Sequence, residues 1–233
     1  MTLVLLVRHG LTATTGSVLT GWTPGIPLDE RGRRQAEALA ARLGPVELDA
    51  IISSPLERCR QTADAIAGAG AARPAVVEDA RLGECHYGDW TGQPLKRLAK
   101  EPLWRVVQAH PGAARFPGED GESITDMQYR AVSAVRDWNR QLGADAAYLI
   151  CSHADVIKSV IADSLGMHID MLQRIQVDPC SLTAIRYTPL RPFVLRMNDT
   201  GGVVDSLKKP EPRRSRAMAR RETEAPVGGG AGG

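Results

Sequence analysis

The sequence predicts a three-layer α/β/α protein, in which a mostly parallel central sheet is flanked by helices on both faces. Short, continuously apolar segments such as residues 3–7 are typical of strands that are buried on both faces. These segments alternate along the chain with longer helical patterns. Such alternation favours a parallel sheet, because a crossover between parallel strands needs a connection about as long as a helix.

Hydrophobic periodicity and helix-breaking residues place the individual elements. Gly44-Pro45 is a stop signal for the first helix, Pro55 is favoured in the first turn of the second, and Ser123 with Asp126 resembles a capping box for a long third helix. The predicted strands are residues 3–7, 48–53, 75–78, 147–151, 181–187 and 193–197. The predicted helices are residues 29–43, a helix after Pro55, a long helix from near Ser123, and residues 155–165.

Composition divides the 233 residues into one domain of mixed α/β type, residues 1–207, and a tail, residues 208–233. The tail alternates prolines with charges and ends in glycines, so it has too little apolar surface to offset the entropy of ordering and is expected to be flexible. Residues 208–224 contain seven basic and three acidic side chains, which leaves a net charge of −2 on the rest of the chain. Two interpretations of the tail stay open: it is a plain solvated segment, or its basic residues bind anionic surfaces.

Several classes of function are not expected from this composition. No apolar stretch is long enough to span a bilayer, and residues 3–7 lack the flanks of a signal peptide. The four cysteines lack disulfide density and C-x-x-C spacing, so we expect reduced thiols in a cytoplasmic protein. A slightly acidic body with ten aromatic residues is a poor nucleic-acid surface, and no cluster has metal-ligand spacing.

Polar side chains follow three of the predicted strands. The first strand runs into Arg8-His9-Gly10, the second precedes Ser53-Ser54-Pro55-Leu56-Glu57-Arg58, and a third ends in Cys151-Ser152-His153. Ligands of open α/β sheets bind outside the carboxyl ends of the strands. Two imidazoles, two guanidiniums and helix N-termini at one edge would attract a multiply charged anion, and phosphate is the common one.

These residue types suggest phosphoryl transfer. A neutral His9 can attack phosphorus, while Arg8 and Arg58 stabilise the equatorial oxygens and keep the imidazole unprotonated. His153 could donate a hydrogen bond to the same oxygens. The leaving alkoxide needs a proton, and Glu84 is our choice of acid, with Asp89 as its rival in the same loop.

Taken singly, each of these residues also has a structural interpretation. Arg8-His9-Gly10 could hold a structural arginine or a capping histidine, Arg58 could be a solvated helix residue, and His153 could be a satisfied core histidine. The functional interpretation depends on their conjunction at strand ends within one domain. We assign structural or surface roles to the remaining histidines, His86, His110 and His168.

The chain also resembles the histidine phosphatase superfamily, in the branch that contains cofactor-dependent phosphoglycerate mutase. This resemblance implies a phosphoglycerate mutase-like fold, phosphorylation of His9, a phosphate pocket of Arg8, Arg58 and His153, Glu84 as proton donor, water as acceptor, and no metal. The matching stretches are Leu6-Val7-Arg8-His9-Gly10-Leu11-Thr12, residues 27–36, residues 53–63, residues 84–92 and Ser152-His153-Ala154-Asp155-Val156-Ile157. Residues 101–107 and 116–118 resemble those of an actinobacterial phosphatase subgroup.

Three departures from the family pattern bear on activity. Thr15 stands where the family often has an Asn that touches the phosphoryl group, and Ala154-Asp155 replaces a small pair, which keeps the Ala154 N–H but adds a negative charge. Residues 94–116 lack the paired arginines that phosphoglycerate mutases use for the substrate carboxylate. This favours a phosphatase over a mutase.

The sequence therefore predicts a phosphomonoester hydrolase that acts on a small phosphorylated metabolite, without metal or cofactor. We expect Arg8, Arg58, Thr15 and Ala154 to bind phosphate, and Gly21, Tyr87 and Arg105 to contact the substrate. The alternatives are a cofactor-primed mutase and a catalytically weak, phosphate-binding regulatory protein. Apolar side chains on the last strands are compatible with a homo-oligomer.

Overall fold

In the computed structural model, which describes residues 1–70, 73–202, 204 and 207, the central sheet has six strands. In spatial order they are β4 (Val76–Glu78), β3 (Ala50–Ser53), β6 (Ala147–Ser152), β1 (Thr2–Arg8), β7 (Leu182–Tyr187) and β8 (Pro192–Asp199). The first four are mutually parallel, and β7 and β8 are antiparallel to their neighbours. The predicted mostly parallel sheet is confirmed.

Side chains on β1 alternate between the two faces of the sheet and contribute to two separate hydrophobic cores. Val4 and Leu6 pack in one core and Leu5 and Val7 in the other, as the pleat of a strand requires. One core contains α5 (Ile124–Leu142) and α6 (Ala154–Ser164), and the other contains α1 (Glu30–Leu43) and α2 (Glu57–Gly68). Helices therefore cover both faces, which confirms the three-layer prediction.

Two of the predicted helices begin with side-chain caps, of which the one at Ser123 was predicted. The Asp29 side chain accepts a hydrogen bond from the Gly32 amide at 2.7 Å, and the Ser123 hydroxyl accepts one from the Asp126 amide at 3.0 Å. Each bond satisfies one of the amides that a helix N-terminus leaves without an intrahelical partner. The caps thus set where α1 and α5 begin.

The segment between β4 and α5 contains elements that hydrophobic periodicity did not predict. It includes α3 (Leu95–Leu98), α4 (Pro102–Ala109) and a two-residue strand, β5 (Gln93–Pro94), which pairs with β2 (Val18–Leu19). Single 3₁₀ turns lie at Ala80–Leu82, Gly88–Trp90 and Pro111–Ala113 in this segment, and a six-residue 3₁₀ helix, Ile169–Arg174, follows α6. These elements are too short to show a clear period in sequence.

The predicted domain boundary and tail lie at the limit of the described residues. Val204 and Leu207 are buried in the core that contains α1, whereas the predicted tail, residues 208–233, lies outside the described part of the chain. Leu195 and Met197 on β8 are exposed, as expected for the last strands. No helix within the described residues is long and apolar enough to cross a bilayer.

Candidate active site

The site lies where the carboxyl ends of β1, β3 and β6 meet. Arg8 at the end of β1 lies beside Ser152 at the end of β6, and Ser53 of β3 lies beside Cys151 on the opposite side of β6. The next residues along the chain, His9, Ser54 and His153, are therefore brought to one edge of the sheet. The imidazole centroids of His9 and His153 are 5.2 Å apart, in an edge-on arrangement.

The hydrogen bonds of His9 assign its tautomer. Its Nδ1 lies 2.8 Å from the Gly10 carbonyl oxygen, which can only accept, so Nδ1 carries the hydrogen. Its Nε2 accepts from Arg58 Nε at 3.3 Å. Burial lowers the pKa of His9 well below its usual value, and the charges of Arg58 and Arg8 lower it further. His9 is thus a neutral imidazole with the lone pair of Nε2 facing the guanidinium.

Arg58 connects the parts of the site from the first turns of α2. Its Nη2 donates to the Gly21 carbonyl at 2.9 Å and lies 3.3 Å from His153 Nδ1, while its Nε contacts His9. The side chain is buried, and its charge lies between two neutral imidazoles. A buried guanidinium without a carboxylate at hydrogen-bond distance favours an anion beside it.

Arg8 adds a second cation with unused hydrogen-bonding capacity. Its Nη1 donates to the Val177 carbonyl at 2.7 Å, but its buried Nε has no hydrogen-bond partner among the described residues. An unsatisfied buried donor is costly, and an anionic oxygen would satisfy it. The first amides of α6, beginning with Ala154, open onto the same strand ends, and no side chain caps that helix.

The ring of His153 is held by Ser54 and Arg58. Nε2 lies 2.8 Å from Ser54 Oγ, and Nδ1 faces both Arg58 Nη2 and, at 3.7 Å, Glu84 Oε2. Burial, followed by the charge of Arg58, lowers the pKa of His153 well below its usual value. Its accepting nitrogen is therefore Nδ1, and it becomes a donor at that atom only when it takes up a proton.

Glu84 enters the site on the loop that follows the Ala80–Leu82 turn. Its Oε1 accepts from the Cys85 amide at 3.0 Å, and its carbonyl oxygen accepts from Trp22 Nε1 and from Arg130 Nη2. The pKa of Glu84 is raised to about 6. Burial is the largest cause and the charge of Asp155 the next, while the charge of Arg58 opposes the rise. A carboxyl with this pKa can hold a proton close to neutral pH.

The structure brings some of the remaining predicted residues to the site but not others. The Gly21 carbonyl contacts Arg58, and the buried Tyr87 donates from its hydroxyl to Asp155 Oδ2 at 3.2 Å. Thr15 Oγ1 instead accepts from the Thr12 amide at 3.0 Å. Arg105 is exposed on α4 and makes no hydrogen bond to the clustered side chains within the described residues. Phosphate contact by Thr15 and substrate contact by Arg105 stay predictions.

Sequence reasoning missed the residues that orient the site. Ser54 lies inside a quoted motif, but its bond to His153 joins positions 99 residues apart. Arg130 donates to the carbonyl oxygens of Arg81, Gly83 and Glu84 and forms an ion pair with Glu122. It therefore holds in place the loop that follows the Ala80–Leu82 turn and carries Glu84, which we call the acid loop. The signal in the sequence for Arg130 was its position, three residues after Met127 and directly before Ala131 in the apolar pattern of α5. His86, predicted to be structural, stacks on Trp22 with centroids 4.6 Å apart.

The described residues contain no group of three or more histidine, cysteine, aspartate or glutamate side chains arranged to hold a metal ion.

The chain belongs to the histidine phosphatase superfamily (branch 1), whose family model matches residues 4–200. Among curated relatives, it is 34% identical over 187 residues to a probable phosphoglycerate mutase, GpmB, from Yersinia pestis (strain Pestoides F). This match covers 79% of the chain and 84% of the relative.

Two solved structures show the same fold. The chain aligns with YhfR of Bacillus stearothermophilus at a TM-score of 0.78 and 30% identity, covering 85% of this chain and 98% of that one. It aligns with phosphoserine phosphatase from Entamoeba histolytica, a mutant in complex with phosphoserine, at a TM-score of 0.75 and 26% identity, covering 86% and 98%. The superfamily thus contains proteins named as phosphatases and as mutases, and the fold is phosphoglycerate mutase-like.

Proposed function

We propose that this protein is a phosphomonoester hydrolase that works through a phosphohistidine on His9. The observation that carries the proposal is the tautomer of this residue. The Gly10 carbonyl holds the hydrogen on Nδ1, so the lone pair of Nε2 points to the place where Arg58 would bind a phosphoryl group. A neutral, oriented imidazole is a competent nucleophile toward phosphorus.

In the first step, His9 Nε2 attacks phosphorus, and the bond between phosphorus and the alcohol oxygen breaks. Glu84 gives its proton to the leaving alkoxide, and its pKa of about 6 supports this role. Arg58 and Arg8 stabilise the charge on the equatorial oxygens, with their donors already in place. The products are a phosphorylated His9, the free alcohol and the Glu84 carboxylate.

In the second step, the Glu84 carboxylate takes a proton from water, and the water oxygen attacks the phosphohistidine. The bond between phosphorus and nitrogen breaks, which releases inorganic phosphate and restores both side chains. His153 joins as a donor once the approach of a dianionic phosphate favours a proton on its Nδ1, because a nearby negative charge favours the charged imidazolium.

Replacement of His9 tests the proposal. His9→Ala should abolish hydrolysis of p-nitrophenyl phosphate, because it removes the nitrogen that is proposed to accept the phosphoryl group. His110→Ala is the matched control, because His110 is an exposed histidine outside the site, and it should retain full activity. Circular dichroism verifies that both variants fold. Comparable activity in folded His9→Ala would refute the mechanism.

A mutase is the second candidate, because a curated relative carries that name. Such an enzyme would need a phosphorylated cofactor to prime His9. The absence of paired arginines from residues 94–116, and the exposure of Arg105, support hydrolysis instead. Incubation with 3-phosphoglycerate and bisphosphoglycerate separates the two: net isomerisation indicates a mutase, and free phosphate indicates a hydrolase.

Asp155 and Thr15 keep a third candidate open, a regulatory protein that binds phosphate without turnover. Tight vanadate binding with no hydrolysis of any ester in a broad panel would favour it. For the hydrolase we propose a small phosphorylated metabolite as substrate and the cytoplasm as its location. The phosphoserine in the Entamoeba relative is one such metabolite to include in the panel.

A further inference from the structure

Asp155 is a carboxylate at the edge of the site that the mechanism above does not use. It lies on the first turn of α6, two residues after His153. Its Oδ2 accepts from the Tyr87 hydroxyl at 3.2 Å, and its Oδ1 forms an ion pair with Lys158 Nζ, also at 3.2 Å. Lys158 is held in turn by Gln173 Oε1 at 3.0 Å. Both oxygens of Asp155 are therefore fixed, and its side chain is 24% exposed.

Tyr87 connects Asp155 with the centre of the site. The Tyr87 ring packs against Gly21, where an added Cβ would come within 3.1 Å of Tyr87 Cδ2. The Gly21 carbonyl in turn accepts from Arg58. Asp155 is thus linked to the surroundings of Glu84 in two ways. Its Oδ2 is bonded to Tyr87, three residues after Glu84, and it follows by two residues His153, whose Nδ1 lies 3.7 Å from Glu84 Oε2.

Glu84 lies among charged and titratable groups from every surrounding element. Of these, Asp155 contributes the largest charge effect that raises the pKa of Glu84, second only to burial, while Arg58 and Arg8 lower it. The charged and titratable groups of the elements that meet here are Arg8 and His9 at the end of β1, Arg58 on α2, Cys85 and Tyr87 in the loop of Glu84, Glu122 and its partner Arg130, His153, and Asp155 with Lys158 on α6.

We infer that Asp155 is a positioning residue for the proposed hydrolysis, whose fixed negative charge keeps Glu84 protonated for transfer to an aliphatic leaving group. The inference rests on the proposed function, in which Glu84 is the acid of the first step. Two guanidiniums attract phosphate but also favour the ionised form of Glu84. Asp155 opposes them, and its two oxygens are bonded to Tyr87 and Lys158 and not to either guanidinium.

This role matters for some substrates more than others. An aliphatic alkoxide is a poor leaving group and needs the proton of Glu84 as the ester bond breaks, whereas p-nitrophenolate leaves without one. The charge of Asp155 therefore favours phosphate esters of aliphatic alcohols, such as glycerol phosphate, at neutral pH.

Asp155→Asn removes the charge while keeping an oxygen that can accept from Tyr87. It also leaves the Lys158 charge without its partner. That positive charge likewise favours the ionised form of Glu84, so both effects act in the same direction. The alkaline limb of kcat/KM for glycerol phosphate should move to lower pH, so that the variant is about threefold slower than wild type at pH 8 and equal at pH 5. With p-nitrophenyl phosphate the two proteins should match across this range. Because wild type and variant are compared on the same substrate at each pH, the titration of the phosphate ester itself cancels.

Asp163→Asn is the matched control, because Asp163 is another carboxylate of α6 and is paired with Arg136 outside the site. It should show the wild-type profile with both substrates. Superimposable profiles for wild type and Asp155→Asn with glycerol phosphate would overturn the inference. So would an equal loss with both substrates at every pH, which would mean that Asp155 only supports the fold.

A titration of Glu84 by ¹³C NMR separates this inference from the proposed function, since it needs no turnover. The Glu84 signal, assigned by its loss in Glu84→Gln, should titrate at lower pH in Asp155→Asn than in wild type. An unchanged midpoint overturns the role of Asp155 even if the protein is an active hydrolase. A lowered midpoint in a protein that cleaves no ester supports the charge effect and refutes the hydrolase.

Discussion

Arg58 is the side chain on which the site's organisation depends. One guanidinium contacts His9 Nε2, His153 Nδ1 and the Gly21 carbonyl, and these three groups come from separate segments of the chain. The flat, forked geometry of arginine allows this, because its donors diverge in one plane. A lysine carries the same charge but concentrates it on a single nitrogen at the end of a flexible chain.

Arg58→Lys should therefore lower kcat/KM for p-nitrophenyl phosphate by about 100-fold or more, the range seen when one preorganised transition-state donor is removed. Arg60→Lys is the control, because Arg60 lies on the same helix but pairs with Asp64 and Glu78. It should leave the rate unchanged. A fully active Arg58→Lys would show that positive charge alone is sufficient and that the fork is not used.

At this scale, the sequence predicted which residues meet but not how they are held. His9, Arg58 and His153 could be placed together because each follows a strand, and parallel strands end at one edge. The bond between Ser54 and His153 and the clamp of Arg130 on the acid loop are contacts between distant segments. A hydrogen bond between distant segments has no periodicity in sequence, so pattern reasoning does not detect it.

At the scale of elements, α1 packs unusually close to the loop that carries the nucleophile. An added Cβ on Gly32, in the first turn of α1, would lie 2.0 Å from the Leu11 carbonyl oxygen. Gly10, next to His9, faces the same contact from the other side, where an added Cβ would lie 2.6 Å from the Gly32 carbonyl oxygen. Only residues without a side chain allow these two backbones to approach, so the contact fixes the loop that holds His9.

Gly32→Ala should destabilise the protein by about 1–3 kcal/mol through overpacking, and it should also lower activity by displacing the His9 loop. Gly68→Ala is the matched control, because Gly68 is also in a helix but has open space where a Cβ would lie. It should be neutral or stabilise by up to about 1 kcal/mol. Urea unfolding measures both, and equal stability of the two variants would contradict the close contact.

The long elements were predictable because each shows a clear hydrophobic period, and the cap at Ser123 marked one helix start. The segment that contains α3 and α4 was not, because a helix of four residues completes scarcely more than one turn. Its conformation depends on tertiary packing: Leu98 and Val107 are buried in the core on the α5 side of the sheet.

At the scale of the whole molecule, the sheet separates two cores, and the last described residues pack into one of them. Val204 and Leu207 are buried with residues of α1, close to where Arg42 donates to the carbonyls of Gly201 and Gly202. The charged and glycine-rich residues begin directly afterwards, at Lys208. The predicted boundary after residue 207 therefore follows the last buried apolar side chain among the described residues.

Two truncations test this boundary. A chain of residues 1–207 should unfold at the same urea concentration as the full chain and hydrolyse small phosphate esters at the same rate. A chain of residues 1–202 should lose about 2–4 kcal/mol, because two apolar side chains no longer cover the core. Equal stability of the two truncated chains would show that Val204 and Leu207 do not contribute to the core.

The central claim, that His9 Nε2 accepts the phosphoryl group, is tested most directly by trapping it. In Glu84→Gln, p-nitrophenyl phosphate should still phosphorylate the enzyme, because its leaving group needs no proton, but water attack should be slow without the carboxylate. After a quench in alkaline denaturant, which preserves phosphohistidine, peptide mapping by mass spectrometry should find the phosphoryl group on His9, at close to one per chain. Release of nitrophenol with no phosphorylated histidine, or with the group on another residue, would contradict the account.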